Sequence, residues 1–237
     1  MVKGVVGALS TATGETISQG KSTVRHVDRT SAEITDVYDQ LEKYKKAANT
    51  DSLTGLANRR AFDEELADVY GGSVALPLTA LVLADIDHFK KVNDSYGHAI
   101  GDQVLVTVGR VLRAAAPKGT FVSRSGGEEF GLILKGWTRD EVMTFCHKLC
   151  STVARRKFKN SRIGLDLGSV TVSLGAAFAS QAPCAEDLFR AADVALYKAK
   201  QQGRNQAVFF EESMLGEHHK DWWIYRKTLP AQLEFEE

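Results

Sequence analysis

Arg124, Ser125, Gly126, Gly127, Glu128, Glu129 and Phe130 place two glycines and two adjacent carboxylates between two strand-like segments, Phe121 to Arg124 and Phe130 to Leu134. Glycines in such a turn allow positive φ and let the backbone approach a ligand, while neighbouring acids supply hard oxygen ligands for a divalent cation. An ordinary hairpin with its acids in water is the alternative, and a short motif alone does not exclude it. The upstream chain changes the balance. An apolar run, Leu81 to Ala84, ends abruptly in Asp85, as expected of a buried strand that fixes a metal ligand at its C-terminal end. Asp85 and Glu128 could then share one cation. Lys90 follows as a point charge suited to phosphate, and Asn93 and Asp102 offer the donors and acceptors needed at a purine edge.

Five blocks in order resemble those of the GGDEF domains, the diguanylate cyclases: DSLTGLANRR at 51–60, DIDHFKKVNDSYGHAIGD at 85–102, RSGGEEF at 124–130, VTVSLGAA at 170–177 and ADVALYKAKQQGRN at 192–205. The resemblance spans residues 49–210 and implies condensation of two GTP molecules into cyclic di-GMP with release of two pyrophosphates. It implies magnesium, with manganese as an alternative, held by Asp85, Glu128 and the carbonyl of Ile86, with Glu129 beside them. By the same resemblance Lys90, Lys200 and Arg204 meet phosphates, Asn93 and Asp102 read guanine, and His98 lies near the nucleotide. Gly126 and Gly127 line the substrate turn, and Glu128 accepts the proton of the attacking ribose 3′ hydroxyl. Such chemistry needs nucleophile and leaving group in line and charge on the phosphorus oxygens neutralised, which a metal and lysines supply.

A chain that holds one GTP must pair with a second copy to join two, so the preceding segment matters. Val27, Thr30, Ile34, Val37, Leu41, Tyr44 and Ala48 alternate at spacings of three and four, the seam of a short coiled coil; a single amphipathic helix packed on its own domain is the alternative. The expected organisation is an irregular segment at 1–22, a helical stalk at 23–50, the catalytic domain at 51–210 and a tail at 211–237, to which no function is assigned. A regulatory partner could act through stalk or tail.

Helical spacing at 59–70, 100–116, 138–158 and 185–202, with strands at 79–84, 121–124, 130–134, 170–179 and around Phe209, gives an α+β sandwich. Its sheet is mixed and mainly antiparallel with flanking helices, and by resemblance it is the palm-like nucleotide cyclase fold. Asp51, Asn58 and Asp94 read as capping and turn residues, Arg59 as a tie between stalk and domain, and Asp87 as a structural residue, or one behind the metal's own ligands, rather than a direct metal ligand.

Thirty basic residues balance thirty acidic ones among 237, leaving no net field for nucleic acid or anionic lipid. No apolar run approaches a membrane span, and Gly4 to Leu9 is too short for a secretory core, so a cytoplasmic place is expected. The three cysteines, Cys146, Cys150 and Cys184, show no disulfide framework; Cys146 and Cys150 read as helix thiols rather than metal ligands. Relatives often carry an inhibitory Arg-x-x-Asp site ahead of the signature. Here that stretch is Pro117, Lys118, Gly119 and Thr120, which lacks the arginine fork and its carboxylate, so ordinary product inhibition is not expected. Two other classes compete: a silent domain that binds nucleotide without turnover, and an interaction protein working through its stalk and the Trp222 and Trp223 pair.

Overall fold

The computed structural model describes residues 33–71, 78–160 and 165–216, together with single helical positions at 14, 20, 27 and 29–31. It divides into two units, residues 1–48 and 49–237. In the first, α1 (33–48) is helical, and Ile34, Val37, Leu41 and Tyr44 of the expected seam are all more than half exposed. Gly14 and Gly20, the two described positions of the segment expected to be irregular, are helical, so glycine's poor helix propensity does not decide their conformation.

The second unit is built on β1 (Thr79–Ile86), whose every residue is buried. A strand covered on both faces needs an unbroken apolar run, and TALVLADI supplies it until its penultimate residue. It pairs antiparallel with β3 (Glu129–Lys135) on one side and β6 (Val172–Phe178) on the other. With β2 (Phe121–Arg124) and β7 (Ala207–Phe209) the sheet order is β2-β3-β1-β6-β7, antiparallel except for the parallel β6 and β7 pair. The mixed, mainly antiparallel sheet flanked by helices is the expected class.

Alternation along β1 divides the core. Val82, Ala84 and Ile86 pack with Val104, Val108 and Leu112 of α4 (His98–Ala115) and Val142 and Leu149 of α5 (Arg139–Ala154). Leu81 and Leu83 pack with Phe62 and Leu66 of α2 (Arg59–Gly71) and Leu188 and Leu196 of α6 (Ala185–Gln201). Gly175 lets α6 lie directly on β6, because a Cβ there would collide with the backbone of Ala192 and Leu196. Asn58 Oδ1 accepts the Ala61 N–H at the start of α2, and Thr138 and Glu141 form a capping box on α5.

Two elements depart from the expected order. The helix expected over 138–158 ends at Ala154, and Phe158 lies instead in β4 (Lys157–Asn160), paired with β5 (Leu165–Ser169). Helix-compatible residues run through the boundary, but burial of Phe158 and the ladder to β5 override them. A short α3 (Phe89–Tyr96) follows β1, with His88 in the left-handed region (φ 59°) as its N-cap and Asp94 inside the helix rather than capping it. Trp137 packs edge-on to Phe145, as a core residue would. His218, His219, Trp222, Trp223, Leu229 and Leu233 lie outside the described residues.

Candidate active site

The end of β1 and the turn between β2 and β3 are brought together by the ladder itself. Asp85 stands opposite Glu129, and the Ile86 N–H donates to the Glu128 carbonyl at 3.3 Å. Asp85 is buried, Glu128 half-buried and Glu129 exposed. From the last turn of α6, Lys200 Nζ reaches Asp85 Oδ2 at 2.8 Å. Burial pushes the Asp85 carboxyl up; the Lys200 ammonium opposes this, Glu129 and Asp87 reinforce it, and the net direction is upward. Glu128 is raised too, first by burial and then by repulsion from Asp85, with Lys200 again opposing. One ammonium thus stands against several carboxylates, an arrangement that a further cation would relieve.

The turn is pinned from outside. Arg124 Nη2 and Nε donate to the Gly127 carbonyl at 2.7 and 3.2 Å, and Nη1 pairs with Asp51 Oδ2 at 3.2 Å. Asp51 also accepts from Thr54 N and Oγ1. Burial raises the Asp51 carboxyl, but the Thr54 hydrogen bonds and the Arg124 charge outweigh it, and its pKa is lowered. The turn role expected of Asp51 is therefore joined to an ion pair that spacing along the chain could not reveal; the lone arginine just before the glycine pair was its only signal. Neither Gly126 nor Gly127 has positive φ, contrary to expectation. Space is the reason for Gly126 instead: a Cβ there would lie 2.5 Å from Glu129 Oε2, which folds back over the turn.

A second cluster forms where α3 meets α4. Asn93 Oδ1 is buried without a hydrogen-bond donor, and it lies so close to Gly101 that a Cβ there would strike it. An acceptor so placed can take a donor from water or from a ligand such as the amide edge of a purine. Asp102 is the next residue, exposed, while Lys90 and His98 are exposed in the first turns of α3 and α4. Arg204 is exposed in the turn after α6. The structure therefore joins Asp85, Glu128, Glu129 and Lys200 in one cluster and Asn93 with the Gly101 and Asp102 turn in another.

The Asp87 carboxylate is engaged within the fold: it accepts from Thr171 Oγ1, Ser173 Oγ and the Asn205 N–H. Arg59, expected as a tie between stalk and domain, pairs with Asp63 of its own helix, donates to the Ser125 carbonyl and lies over Phe62 and Phe189. Cys146 and Cys150 are buried thiols, and burial pushes both up, Cys150 to about 12. Among the described residues no group of three or more acidic, histidine or cysteine side chains is placed to hold a metal ion. Asp85 and Glu128 with the backbone of Ile86 could offer a hard divalent cation an open set, the remaining oxygens coming from substrate and water.

The profile of the family described as "Diguanylate cyclase, GGDEF domain" matches residues 48–206. The chain is 37% identical over 176 residues to the diguanylate cyclase VdcA of Vibrio cholerae, covering 74% of this chain and 51% of VdcA. It is 36% identical over 178 residues to the diguanylate cyclase DgcM of Escherichia coli, covering 74% of this chain and 42% of DgcM. The chain thus spans about half the length, or less, of these relatives. Among solved structures, it resembles the coiled coil and GGDEF domain of DgcB from Caulobacter crescentus in complex with c-di-GMP (TM-score 0.71, 35% identity, 79% of this chain and 99% of that one). It also resembles the diguanylate cyclase SiaD in complex with its activator SiaC from Pseudomonas aeruginosa (TM-score 0.65, 30% identity, 86% and 80%). With the five sequence blocks on this sheet and the profile covering most of the chain, the protein belongs to the GGDEF-domain diguanylate cyclase family.

Proposed function

We propose that this chain is a diguanylate cyclase that condenses two GTP molecules into cyclic di-GMP, each copy binding one GTP and two copies meeting face to face. The observation that carries the reading is the cluster of Asp85, Glu128 and Lys200, with both acids raised by burial and close charge. Asp85, Glu128 and the Ile86 carbonyl would hold the divalent cation, magnesium or manganese, with Glu129 beside them. When bound, that cation neutralises triphosphate charge and acidifies a neighbouring hydroxyl. Lys90, Lys200 and Arg204 orient the phosphates. Asn93 and Asp102 take the guanine edge, with the unpartnered Asn93 oxygen accepting from the base, and His98 stands at the nucleotide's border. Glu128, raised above an ordinary carboxylate, is suited to accept the 3′ hydroxyl proton.

The homodimer follows from stoichiometry, and the exposed row of Ile34, Val37, Leu41 and Tyr44 supports a paired stalk at 23–50. The same stalk, or the tail at 211–237, offers a regulatory partner its handle. Among the described residues no helix is long and apolar enough to cross a membrane, and a GTP-consuming reaction suits the cytoplasm. Pro117 and Thr120 occupy the positions of the inhibitory arginine and aspartate, so the product exerts no ordinary feedback through residues 117–120. Incubation with GTP and magnesium, followed by chromatography of the product, tests the reading. Cyclic di-GMP from the wild type and none from Glu128→Ala is expected. Nucleotide binding without turnover would favour a silent regulatory domain.

A further inference from the structure

Asp87 and the turn after α6 form a second link between the end of β1 and the cationic residues of the site. The Asp87 carboxylate is buried and accepts three hydrogen bonds: Ser173 Oγ at 2.7 Å on one oxygen, and Thr171 Oγ1 at 2.6 Å and the Asn205 N–H at 3.0 Å on the other. Its own N–H donates to the Thr171 carbonyl at 2.9 Å. The tethered turn has three consecutive residues in the left-handed region, Gly203 (φ 112°), Arg204 (φ 66°) and Asn205 (φ 48°). Only the first is a glycine, so the other two hold a conformation that side chains disfavour and that needs an external hold.

That hold acts on both sides of Arg204. Its own N–H donates to the Ala199 carbonyl at 3.0 Å, and the next N–H donates to Asp87. The two peptides flanking its Cα are thereby fixed, and with them the direction in which the exposed guanidinium leaves the backbone. One turn earlier in the chain, Lys200 is held by Asp85. The two aspartates at the end of β1 thus secure the two cations of α6 and its following turn, one by a direct ion pair and one through the backbone.

We propose that Asp87 is a positioning residue for the nucleotide's phosphates, acting through Arg204 and not as a cation ligand. The inference rests on the GTP-site reading above. Asp87→Asn keeps the geometry, because its amide oxygen can accept the Asn205 N–H while its NH2 donates to a hydroxyl that rotates to accept. Asp87→Ala removes the tether.

The test is a double-mutant cycle on the full chain with magnesium and GTP, combining Asp87→Ala with Arg204→Ala, with kcat and KM measured for each and GTP binding measured separately. Asp87→Ala is expected to lower kcat/KM by about 10- to 100-fold, mainly through KM, as misplacement of a phosphate-binding group does. In the Arg204→Ala background it should cost almost nothing further, and Asp87→Asn should stay within about threefold of wild type. Where Asp87→Ala does not fold, Asp87→Ser, too short to reach the Asn205 N–H, takes its place in the cycle. Full additivity with Arg204→Ala would make the role merely structural and overturn the proposal. An Asp87→Asn as impaired as Asp87→Ala would assign the charge itself to the cation and overturn it too. A wild type that neither binds nor turns over GTP would instead overturn the site reading on which the inference stands.

Discussion

Lys200 Nζ lies 2.8 Å from Asp85 Oδ2, so the last turn of α6 supplies the counter-charge to the acid that ends β1. On the proposed reading, Lys200 would pair with Asp85 before substrate arrives and with phosphate afterwards. Replacing it by methionine leaves a buried carboxylate without its partner, which costs about 1–3 kcal/mol. A fall in Tm of roughly 2–12 °C is expected in chelator, at about 2–4 °C per kcal/mol. Millimolar magnesium should return part of that loss, because a divalent ion replaces the missing charge. Differential scanning calorimetry in the two buffers reads both effects.

The raised acids fix the direction of the pH dependence. Asp85 and Glu128 have folded pKa values above their unfolded ones, so keeping both ionised costs stability at neutral pH, and that cost disappears as pH falls through the folded values. Protonation also ends their ability to hold a cation. The acidic limb of kcat/KM should accordingly lie above the pH of about 4 at which exposed carboxylates titrate. Glu128→Gln should raise the Tm of the metal-free protein at pH 7–8 by on the order of 1–3 °C while abolishing turnover, the trade between stability and activity expected of an acid cluster. That gain should shrink as the pH is lowered. Thermal melts of wild type and variant across pH check the sign.

Arg124 binds the Gly127 carbonyl with two nitrogens and Asp51 with the third, a geometry only a planar fork can provide. Arg124→Lys keeps the charge but cannot span both partners. Turnover should fall by about 10- to 100-fold through displacement of the turn that carries Glu128. Circular dichroism should remain that of the wild type.

Much of this arrangement was legible from local pattern. The fully apolar run into Asp85 announced a central buried strand closing on a carboxylate, and the glycine pair followed by acids announced the turn. The spacing of Val104, Leu105, Val108 and Leu112 gave α4 its buried face. What stayed hidden depends on contacts between distant segments. Nothing near Lys200 names Asp85 as its partner, nor does anything near Arg124 name Asp51. Nothing in the sequence around Asp87 names Asn205 as its partner either, since that grip exists only because β1, β6 and the turn after α6 meet. The glycines of the signature turn were read for positive φ, whereas Gly126 answers to the Glu129 carboxylate folded over it. The β4 and β5 hairpin was missed because its residues continue a helix-compatible run.

Gly175 sets how closely α6, and therefore Lys200, approaches the sheet. A Cβ at this position would meet the backbone of Ala192 and Leu196, which cannot move aside as a flexible side chain could. Gly175→Ala should destabilise the domain by about 2–3 kcal/mol or more through overpacking. Urea unfolding should show a lower midpoint, and activity should fall even at temperatures where the domain stays folded, because Lys200 is pushed away from Asp85.

The central claim is that Asp85 and Glu128 jointly hold a divalent cation against the triphosphate, and the most direct measurement is an electron paramagnetic resonance titration of manganese in the presence of a non-hydrolysable GTP analogue. The wild type should remove free manganese from solution with the analogue present, and Asp85→Asn and Glu128→Gln should each lose that binding while remaining folded. Manganese held equally well by wild type and both variants would contradict the account.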